Sequence, residues 1–283
     1  MCIMRLALRV GAEARYALLP PVQLAGVIRH LHVELHGEGE VVVPILPTAG
    51  ITFFHSGGLA GESFSCGDKP FLAAPLRQPF GTVWLPETSF IAAHIYPQYL
   101  PRLFGLDAAC MHNGPVALED ILPRADYGQL EEQIRRSRSS DEWVRLLCDW
   151  LGQRYASGIQ SVPFSLKREL LHQNTADLAK LYNCSVRHLE RMYKRAYGMT
   201  LRDSRRIERY SDAVSALLLT SPKRGDMVRI AVGAGYHDES HMIRDFRHYA
   251  DTSPARFPEK TLLSQHRLYQ YSGGTRAVAL RRR

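Results

Sequence analysis

Residues 235–257 read GYHDESHMIRDFRHYADTSPARF, and a related segment, SVRHLERMYKRAYGMTL, occurs at residues 185–201. When the two segments are superimposed, Arg191 falls on Arg244 and the flanking apolar residues also coincide. In both, apolar residues recur three and four positions apart among basic ones, a spacing that predicts an amphipathic helix. The chain is therefore predicted to contain the same short basic helix twice.

The residues before each basic helix predict that it belongs to a helix-turn-helix unit. In the first unit a short helix, Thr175–Tyr182, is followed by a turn at Asn183 and by a second helix, Val186–Tyr197. Ser185 is placed to cap the second helix, and Gly198 to end it in a left-handed conformation. Two helices joined by so short a turn are typical of helix-turn-helix units.

The second unit repeats this order with a turn that is one residue longer. A helix over Met227–Ala234 leads to a turn at Gly235, and Asp238 can cap a helix that continues to about Tyr249. The residues between the two units also read as helical. The whole segment therefore reads as an all-α domain with two helix-turn-helix units.

The outward sides of the two repeated helices form a predicted DNA-binding surface. A recognition helix directs polar side chains of its first turns at base edges in the major groove, with Arg and Lys nearby on phosphates. On the first helix the outward residues are Arg187, His188, Glu190, Arg191, Lys194 and Arg195, after the capping Ser185. On the second helix they are Glu239, Ser240, His241, Arg244, Arg247 and His248.

The charge of the chain is concentrated where the repeat lies. Residues 164–283 carry 23 Lys and Arg against 12 Asp and Glu, a net of +11, whereas residues 1–123 carry a net of −3. A basic surface without a partner is one reading of this excess. Its confinement to the segment with the two matched helices favours a polyanion partner, double-stranded DNA.

The N-terminal part has a different pattern. Short β-type runs alternate with Gly and Pro turns up to about residue 118, as expected of a β-barrel or sandwich. A helical connector follows, with Ser139 and Glu142 as a capping box. The apolar face of its helix is predicted to pack on the β-domain or to form a dimer contact, and consists of Trp143, Leu147, Trp150 and Leu151.

The length and composition of the chain indicate the cellular compartment in which it is expected. The 283 residues suffice for two domains, and no apolar run is long enough for a transmembrane helix. Residues 1–16 are too interrupted by Arg for a signal peptide. The five cysteines are scattered and form no C-x-x-C pair, so disulfides and structural zinc are not expected. The expected location is the reducing cytoplasm.

Residues 160–257 resemble the DNA-binding domain of the AraC family of bacterial transcription regulators. The matching segments are LAKLYNCSVRHLERMYKRAYGMT, RIERYSDAVSALL and IAVGAGYHDESHMIRDFRHYADTSPARF. Two positions depart from the family pattern, with Leu201 in place of its usual Pro and Ser204 in place of an aromatic residue. The two units of the family's domain are joined by a long linker helix, expected here at about Leu201–Leu219. The departures affect packing at the start of this helix rather than a DNA contact.

The resemblance, together with helix geometry, implies a role for the outward residues. Arg187, Arg191, His241 and Arg244 are expected near bases, and Lys194, Arg195, Arg205 and Arg247 near phosphates. The other expected members of the DNA-binding surface are Ser185, His188, Glu190, Glu239 and Ser240.

The N-terminal half also resembles an AraC-associated sensor domain, through LAGVIRHLHVELHGEGE, ILPTAGITFFH, APLRQPF, IYPQYLPRLFGL and GPVALEDIL. This resemblance implies a cupin-like β-barrel that binds a small-molecule effector or dimerises. The resulting map is α+β multidomain. It comprises a barrel at 1–120, a helical connector at 121–160, a double helix-turn-helix domain at 161–260 and a basic tail at 261–283.

An enzyme is the alternative from a different class. His30, His32, Glu34 and His36 alternate along one predicted strand, and cupin enzymes bind metal through such sets. The intervening Leu and Val are expected to enter the barrel, so that the histidines would face solvent or a neighbouring chain, and His55 is interpreted as a strand-end residue. We therefore predict a dimeric, sequence-specific regulator without catalytic residues, metal or cofactor. The alternative is a metal-dependent cupin-like enzyme tethered to DNA, and a third possibility is a regulator without an effector.

Overall fold

A computed structural model of the chain describes residues 5–10, 13–43, 45, 47–61, 67–75, 80–111, 114–159, 161–162, 164–220 and 225–257. The predicted basic tail at 261–283 lies outside these residues. The described chain begins with a sheet and ends with helices, as predicted for an α+β protein.

The N-terminal part is one antiparallel sheet of eight strands. These are β1 (Arg5–Val10), β2 (Glu13–Leu18), β3 (Ile28–Val43), β4 (Ala49–Ser56), β5 (Leu59–Ala60), β6 (Phe71–Ala73), β7 (Phe80–Ile95) and β8 (Pro115–Ala117). The strand order is β1-β2-β3-β7-β4-β6-β8, and β5 pairs with β7. Within the described residues β1 and β8 do not pair with each other, so the sheet is not a closed barrel.

Short helices follow the sheet. They are α1 (Leu100–Phe104), α2 (Arg124–Arg136) and α3 (Ser140–Ser157), with 3-10 helices at Val22–Leu24, Pro97–Tyr99, Ala108–Cys110 and Leu118–Asp120. The hydroxyl of Ser139 accepts a hydrogen bond of 3.3 Å from the Glu142 amide, so the predicted cap of α3 is confirmed. Both α2 and α3 contact the sheet and cover one of its faces.

The central strand β3 is buried on both faces, which corrects one expectation. Leu31 and Val33 are fully buried in the core shared with α2 and α3. His32 and Glu34, on the opposite face, are also buried, with 1% and 0% exposure. The expectation that these side chains face solvent was wrong, because strand alternation was read as if only one face were covered. His36, farther along β3, is exposed and pairs with Glu87.

The apolar face of α3 is covered within the chain. Leu147 and Leu151 are fully buried and Trp143 is 3% exposed, all in the core beneath the sheet. Trp150 is partly buried, with its ring edge-on to Phe53 at 5.7 Å between centroids. Two roles were predicted for this face, and the structure shows the first of them, packing on the β-domain. The assignment of these four residues to a dimer contact is corrected accordingly.

Cys148 on α3 provides a simple check of this packing. Burial, with a smaller contribution from the Asp149 charge, raises the pKa of its thiol to about 12. Because that pKa lies above the unfolded value of roughly 8.5, the associated stability is lost as pH rises above that value. We expect iodoacetamide at pH 8 to label the exposed Cys110 and to spare Cys148 until the protein unfolds. Peptide mass spectrometry checks this, and equal labelling of the two in the folded protein would contradict it.

The C-terminal part is helical. It contains a 3-10 helix at Arg168–Leu170 and then α4 (Thr175–Leu181), α5 (Val186–Tyr197), α6 (Leu201–Thr220), α7 (Asp226–Gly233) and α8 (Glu239–Ala250). The helices α4 and α5 share a core that includes Leu178, Leu189 and Tyr193. The helices α6, α7 and α8 share a second core that includes Ile230 and Phe246. No helix in the described part of the chain has the length and apolarity needed to cross a membrane.

Among the described residues, the two parts of the chain touch at Ile45 and where α5 meets the 3-10 helices Pro97–Tyr99 and Ala108–Cys110. The 3-10 helix at Ala108–Cys110 contacts α5, and Gly198 at the end of α5 lies over it. A Cβ atom at Gly198 would lie 2.8 Å from the Ala108 carbonyl oxygen, so this approach requires glycine. Ile45, from the segment between β3 and β4, is buried in the same core as Met199 and Ile207.

Candidate DNA interface

The two helix-turn-helix units are built by equivalent backbone bonds. The amide of Cys184 donates to the Ala179 carbonyl at 2.9 Å, and the amide of Tyr236 donates to the Ala231 carbonyl at 2.9 Å. Gly235 takes a φ of 83°, where a side chain would be strained. Each bond folds the turn back onto the first helix of its unit, which sets the direction in which α5 and α8 leave the turn.

Both second helices are capped as the sequence predicts. The Ser185 hydroxyl accepts from the His188 amide at 3.2 Å, and the Asp238 carboxylate accepts from the His241 amide at 2.7 Å. The bond from the His241 amide is the main reason that the pKa of Asp238 lies below its usual value. Gly198 ends α5 with a φ of 73°. The hydroxyl of Ser185 is thus engaged in capping, rather than free for a base.

The outward face of α5 is exposed and strongly basic. Leu189 and Tyr193 point inward with 1% and 3% exposure, which fixes the rotation of the helix. The exposed residues are Arg187, His188, Glu190, Arg191, Lys194 and Arg195. The guanidinium of Arg191 lies 2.9 Å from Nδ1 of His188, so these two side chains are held together on one side of the helix.

The outward face of α8 is less basic. Ser240, Arg244 and Arg247 are exposed, whereas Glu239 and His241 are half-buried. The ring of His241 meets that of Tyr236 edge-on, at 5.3 Å between centroids, which steadies it near the start of the helix. All five of these predicted residues lie in the first three turns of α8.

Arg205 is turned inward, which corrects its predicted placement near phosphates. Its Nε donates to the Leu171 carbonyl at 2.6 Å, and its two terminal nitrogens donate to the Thr175 hydroxyl and the Gln173 carbonyl. The side chain therefore ties α6 to the segment that starts α4. The family pattern and helix geometry placed it near phosphates, because the sequence does not show that residues 171–175 lie over this part of α6.

Arg195 is engaged by the N-terminal part of the chain. Its Nε lies 2.8 Å from a carboxylate oxygen of Asp107, in the turn before the 3-10 helix that contacts α5. The ion pair sits at the C-terminal end of α5. Arg187 and Arg191, nearer the other end, stay exposed, so the contact leaves the expected base-reading side chains accessible.

A buried ion pair that was not predicted joins α8 to the linker helix α6. Nε of Arg206 donates to Asp245 at 2.6 Å, and Asp245 is 1% exposed. Burial is the main cause of the raised pKa of Tyr236, and the Asp245 carboxylate adds to it. The spacing of Asp245 from Met242 and Tyr249, three and four residues away, could have shown that it faces inward.

The sheet holds a second group of polar residues. His30, His32 and Glu34 on β3 lie beside His94 on β7, all of them buried. No group of three or more His, Cys, Asp or Glu residues that could hold a metal ion is present in the described ranges. His55 lies outside this group, and its Nδ1 is 2.8 Å from the Ile134 carbonyl oxygen.

Comparison with known proteins finds a family model that matches the helical domain and solved structures that are similar to the chain. A family model described as a helix-turn-helix domain matches residues 178–260. No curated protein matches the sequence. ToxT from Vibrio cholerae is similar at 13% identity and a TM-score of 0.44, over 80% of this chain and 97% of that one. The structure of ToxT bound to an unsaturated fatty acid is similar at 12% identity and a TM-score of 0.42, over 80% of this chain and 94% of that one. The AraC-like transcriptional activator CuxR is similar at 13% identity and a TM-score of 0.23, over 71% of this chain and 78% of that one.

Proposed function

We propose that this chain is a DNA-binding transcription regulator of the AraC family, and that α5 and α8 are its two recognition helices, which enter successive major grooves on one face of the DNA. One recognition helix contacts only a few base pairs, too few to define a site in a genome. Two helices fixed by a stiff linker helix read two half-sites about 10 base pairs apart. The observation that carries this proposal is the equivalent construction of the two units, which present matching faces.

In this proposal Arg187 and Arg191 contact bases in the first groove, and His241 and Arg244 contact bases in the second. Lys194, Arg195 and Arg247 contact phosphates, and the Asp107 carboxylate is exchanged for phosphate at Arg195 when DNA binds. Arg205 is left out because it is hydrogen-bonded internally. The exposure of Arg187 and Lys194 on the same helix supports a division of roles that can be tested directly.

The test compares Arg187→Ala with Lys194→Ala on an operator selected from randomised duplexes and on a scrambled duplex. If Arg187 reads a guanine, its loss should cost roughly 1–3 kcal/mol and relax preference at one base pair. If Lys194 binds a phosphate, its loss should weaken both duplexes alike and lower the salt slope by about one unit. Binding isotherms at two salt concentrations measure both effects.

Glu132→Ala serves as the matched control for both variants, because Glu132 is an exposed charged helix residue outside the helical domain. It should bind both duplexes as the unaltered protein does. A merely adhesive basic domain would give equal losses on operator and scrambled DNA for Arg187→Ala. That result would contradict base reading by α5.

We further propose that the protein acts in the cytoplasm, as a homodimer, with a small-molecule effector bound by the N-terminal domain. The dimer contact would have to lie outside the buried face of α3, since Leu147 and Leu151 are fully covered within one chain. The effector would act through contacts between the sheet domain and the helical domain such as those at Ile45 and Asp107.

The alternative interpretation, a metal-dependent enzyme, depended on the histidines of β3. In the described part of the chain these residues form no group that could hold a metal ion, and the matched domain is one that binds DNA. Regulation of transcription is therefore the function that the chain supports best.

A further inference from the structure

The three arginines on the outward face of α5 differ in what holds their side chains. Arg195 is paired with the Asp107 carboxylate at 2.8 Å, and the guanidinium of Arg191 lies 2.9 Å from Nδ1 of His188. Arg187 has neither kind of partner among the residues that the structure describes. Of the two residues expected at bases in the first groove, one is therefore held and the other is free to rotate.

The contact between Arg191 and His188 fixes the state of the imidazole ring. A guanidinium carries hydrogen-bond donors only, so Nδ1 of His188 must be the acceptor in this bond. The accepting nitrogen carries no proton, and the ring is then neutral with its proton on Nε2. His188 therefore orients the guanidinium without cancelling its positive charge, unlike the Asp107 carboxylate at Arg195.

The position of His188 on the helix is fixed independently of this contact. Its amide donates to the Ser185 hydroxyl at 3.2 Å, and the neighbouring Leu189 is 1% exposed in the core beneath the helix. Residues three apart on a helix lie side by side, so the ring of His188 stands next to Arg191. A ring attached to a fixed first turn thus gives the flexible arginine a rigid point of attachment.

His188 occupies the third position after the capping residue, a position that ordinarily serves helix stability. In a capping box the residue there is Glu or Gln, and its side chain returns to the amide of the capping residue. The side-chain contact that the structure shows for His188 is with Arg191 instead. A side chain that bonds an outward-facing arginine rather than the helix end is better explained by recognition than by folding.

We propose that His188 is a positioning residue that holds Arg191 in the orientation needed to read a guanine. A guanidinium binds O6 and N7 of guanine through two parallel hydrogen bonds, so its plane must be set correctly. The bond to His188 uses one of the five N–H groups of Arg191 and leaves the others for the base. Ordering the side chain before binding removes part of the entropic cost that an untethered arginine such as Arg187 incurs on binding.

This inference rests on the proposed base-reading role of α5 and gives His188 a different role from the direct DNA contact expected from the sequence. A residue that acts through Arg191 affects only the base pair that Arg191 reads. A direct contact of His188 with a base or a phosphate would add to the effect of Arg191 rather than depend on it. The two roles are therefore separable by combining substitutions.

The test measures binding to the selected operator, to each single base-pair variant of it and to a scrambled duplex. Arg191→Ala identifies the base pair at which Arg191 acts, and Arg187→Ala identifies the other. We expect His188→Ala to lower the preference at the Arg191 base pair by about two- to tenfold, the range that corresponds to ordering one long side chain. Preference at the Arg187 base pair, binding to the scrambled duplex and the thermal unfolding midpoint should not change.

Two further variants test how His188 acts. His188→Asn places a carboxamide oxygen near the position of Nδ1, so it should restore the preference that His188→Ala loses. In the Arg191→Ala background, His188→Ala should have no further effect, since no guanidinium remains to be positioned. Glu132→Ala, at an exposed charged residue outside the helical domain, is the control and should bind as the unaltered protein does.

Five results would overturn the proposal. They are an unchanged preference in His188→Ala, an equal loss at both base pairs, a loss on the scrambled duplex, a further loss in the Arg191→Ala background, or failure of His188→Asn to restore the preference. Each of these leaves the base-reading role of Arg191 standing, provided that Arg191→Ala itself loses preference at one base pair. If Arg191→Ala loses no preference at any base pair, the proposed role of Arg191 in the first groove is contradicted together with the inference.

Discussion

Leu147→Ala is expected to lower the free energy of unfolding by about 2–5 kcal/mol without changing the oligomeric state. Leu147 has 0% exposure and lies in the core formed by α3, α2 and the sheet. Removing its branched side chain loses apolar contact and leaves a cavity that the fixed strands cannot close completely. Urea unfolding followed by fluorescence measures the free energy, and sedimentation measures the mass.

Gln153→Ala, on the exposed side of the same helix, is the matched control and should stay within about 0.5 kcal/mol of the unaltered protein. The opposite pattern would be informative. If Leu147→Ala retained its stability but sedimented as a monomer where the unaltered protein is a dimer, the face would contact a second chain. The burial of Leu147 within one chain would then not describe the protein in solution.

The role of this face illustrates what sequence reasoning can and cannot decide. The spacing of Leu147 and Leu151 predicts an apolar stripe, and the stripe is there. Periodicity does not say which surface covers the stripe, because the sheet and a second chain would both satisfy it. The answer depends on where the strands lie, and those contacts are distant in sequence.

The helical domain was easier to predict because its determinants are local. Ser185 and Asp238 cap their helices, and Gly198 ends α5, through bonds that span only three or four residues. Such bonds can be read directly from the order of residues. Arg205 was misplaced for the opposite reason, since its three acceptors lie 30 to 34 residues earlier in the chain.

The burial of β3 was predicted wrongly because its alternating pattern fits a strand with one covered face as well as a strand with two. An apolar face opposite a polar face usually means core opposite solvent. Here α2 and α3 cover Leu31 and Val33, and His32 and Glu34 on the opposite face of the strand are buried as well. The alternation alone does not show that both faces are covered.

Arg206→Ala is expected to have the second large effect, lowering the free energy of unfolding by roughly 3–5 kcal/mol. Its loss would leave the Asp245 carboxylate, 1% exposed, without its 2.6 Å partner. Asp245→Ala should cost less, because Arg206 is 36% exposed and can turn toward water. Removing both should cost less than the two single losses added together, since neither charge is then left behind.

Denaturant titrations of the two single variants and the double variant complete this cycle. Equal costs for the two single substitutions would contradict the asymmetry that follows from the different burial of the partners. Arg202→Ala is the control, as Arg202 is an exposed residue on the same helix. It should unfold within about 0.5 kcal/mol of the unaltered protein.

The same pair should also affect DNA recognition by α8 more than by α5. The ion pair fixes α8 against the linker helix, while α5 packs in a separate core around Leu178 and Tyr193. The double variant, measured under conditions where it remains folded, should therefore lose preference at the base pairs read by α8 and keep preference at those read by α5. Binding to duplexes with one half-site scrambled at a time separates the two. A uniform loss over both half-sites would mean that Arg206 and Asp245 support the domain as a whole, rather than the position of its second recognition helix.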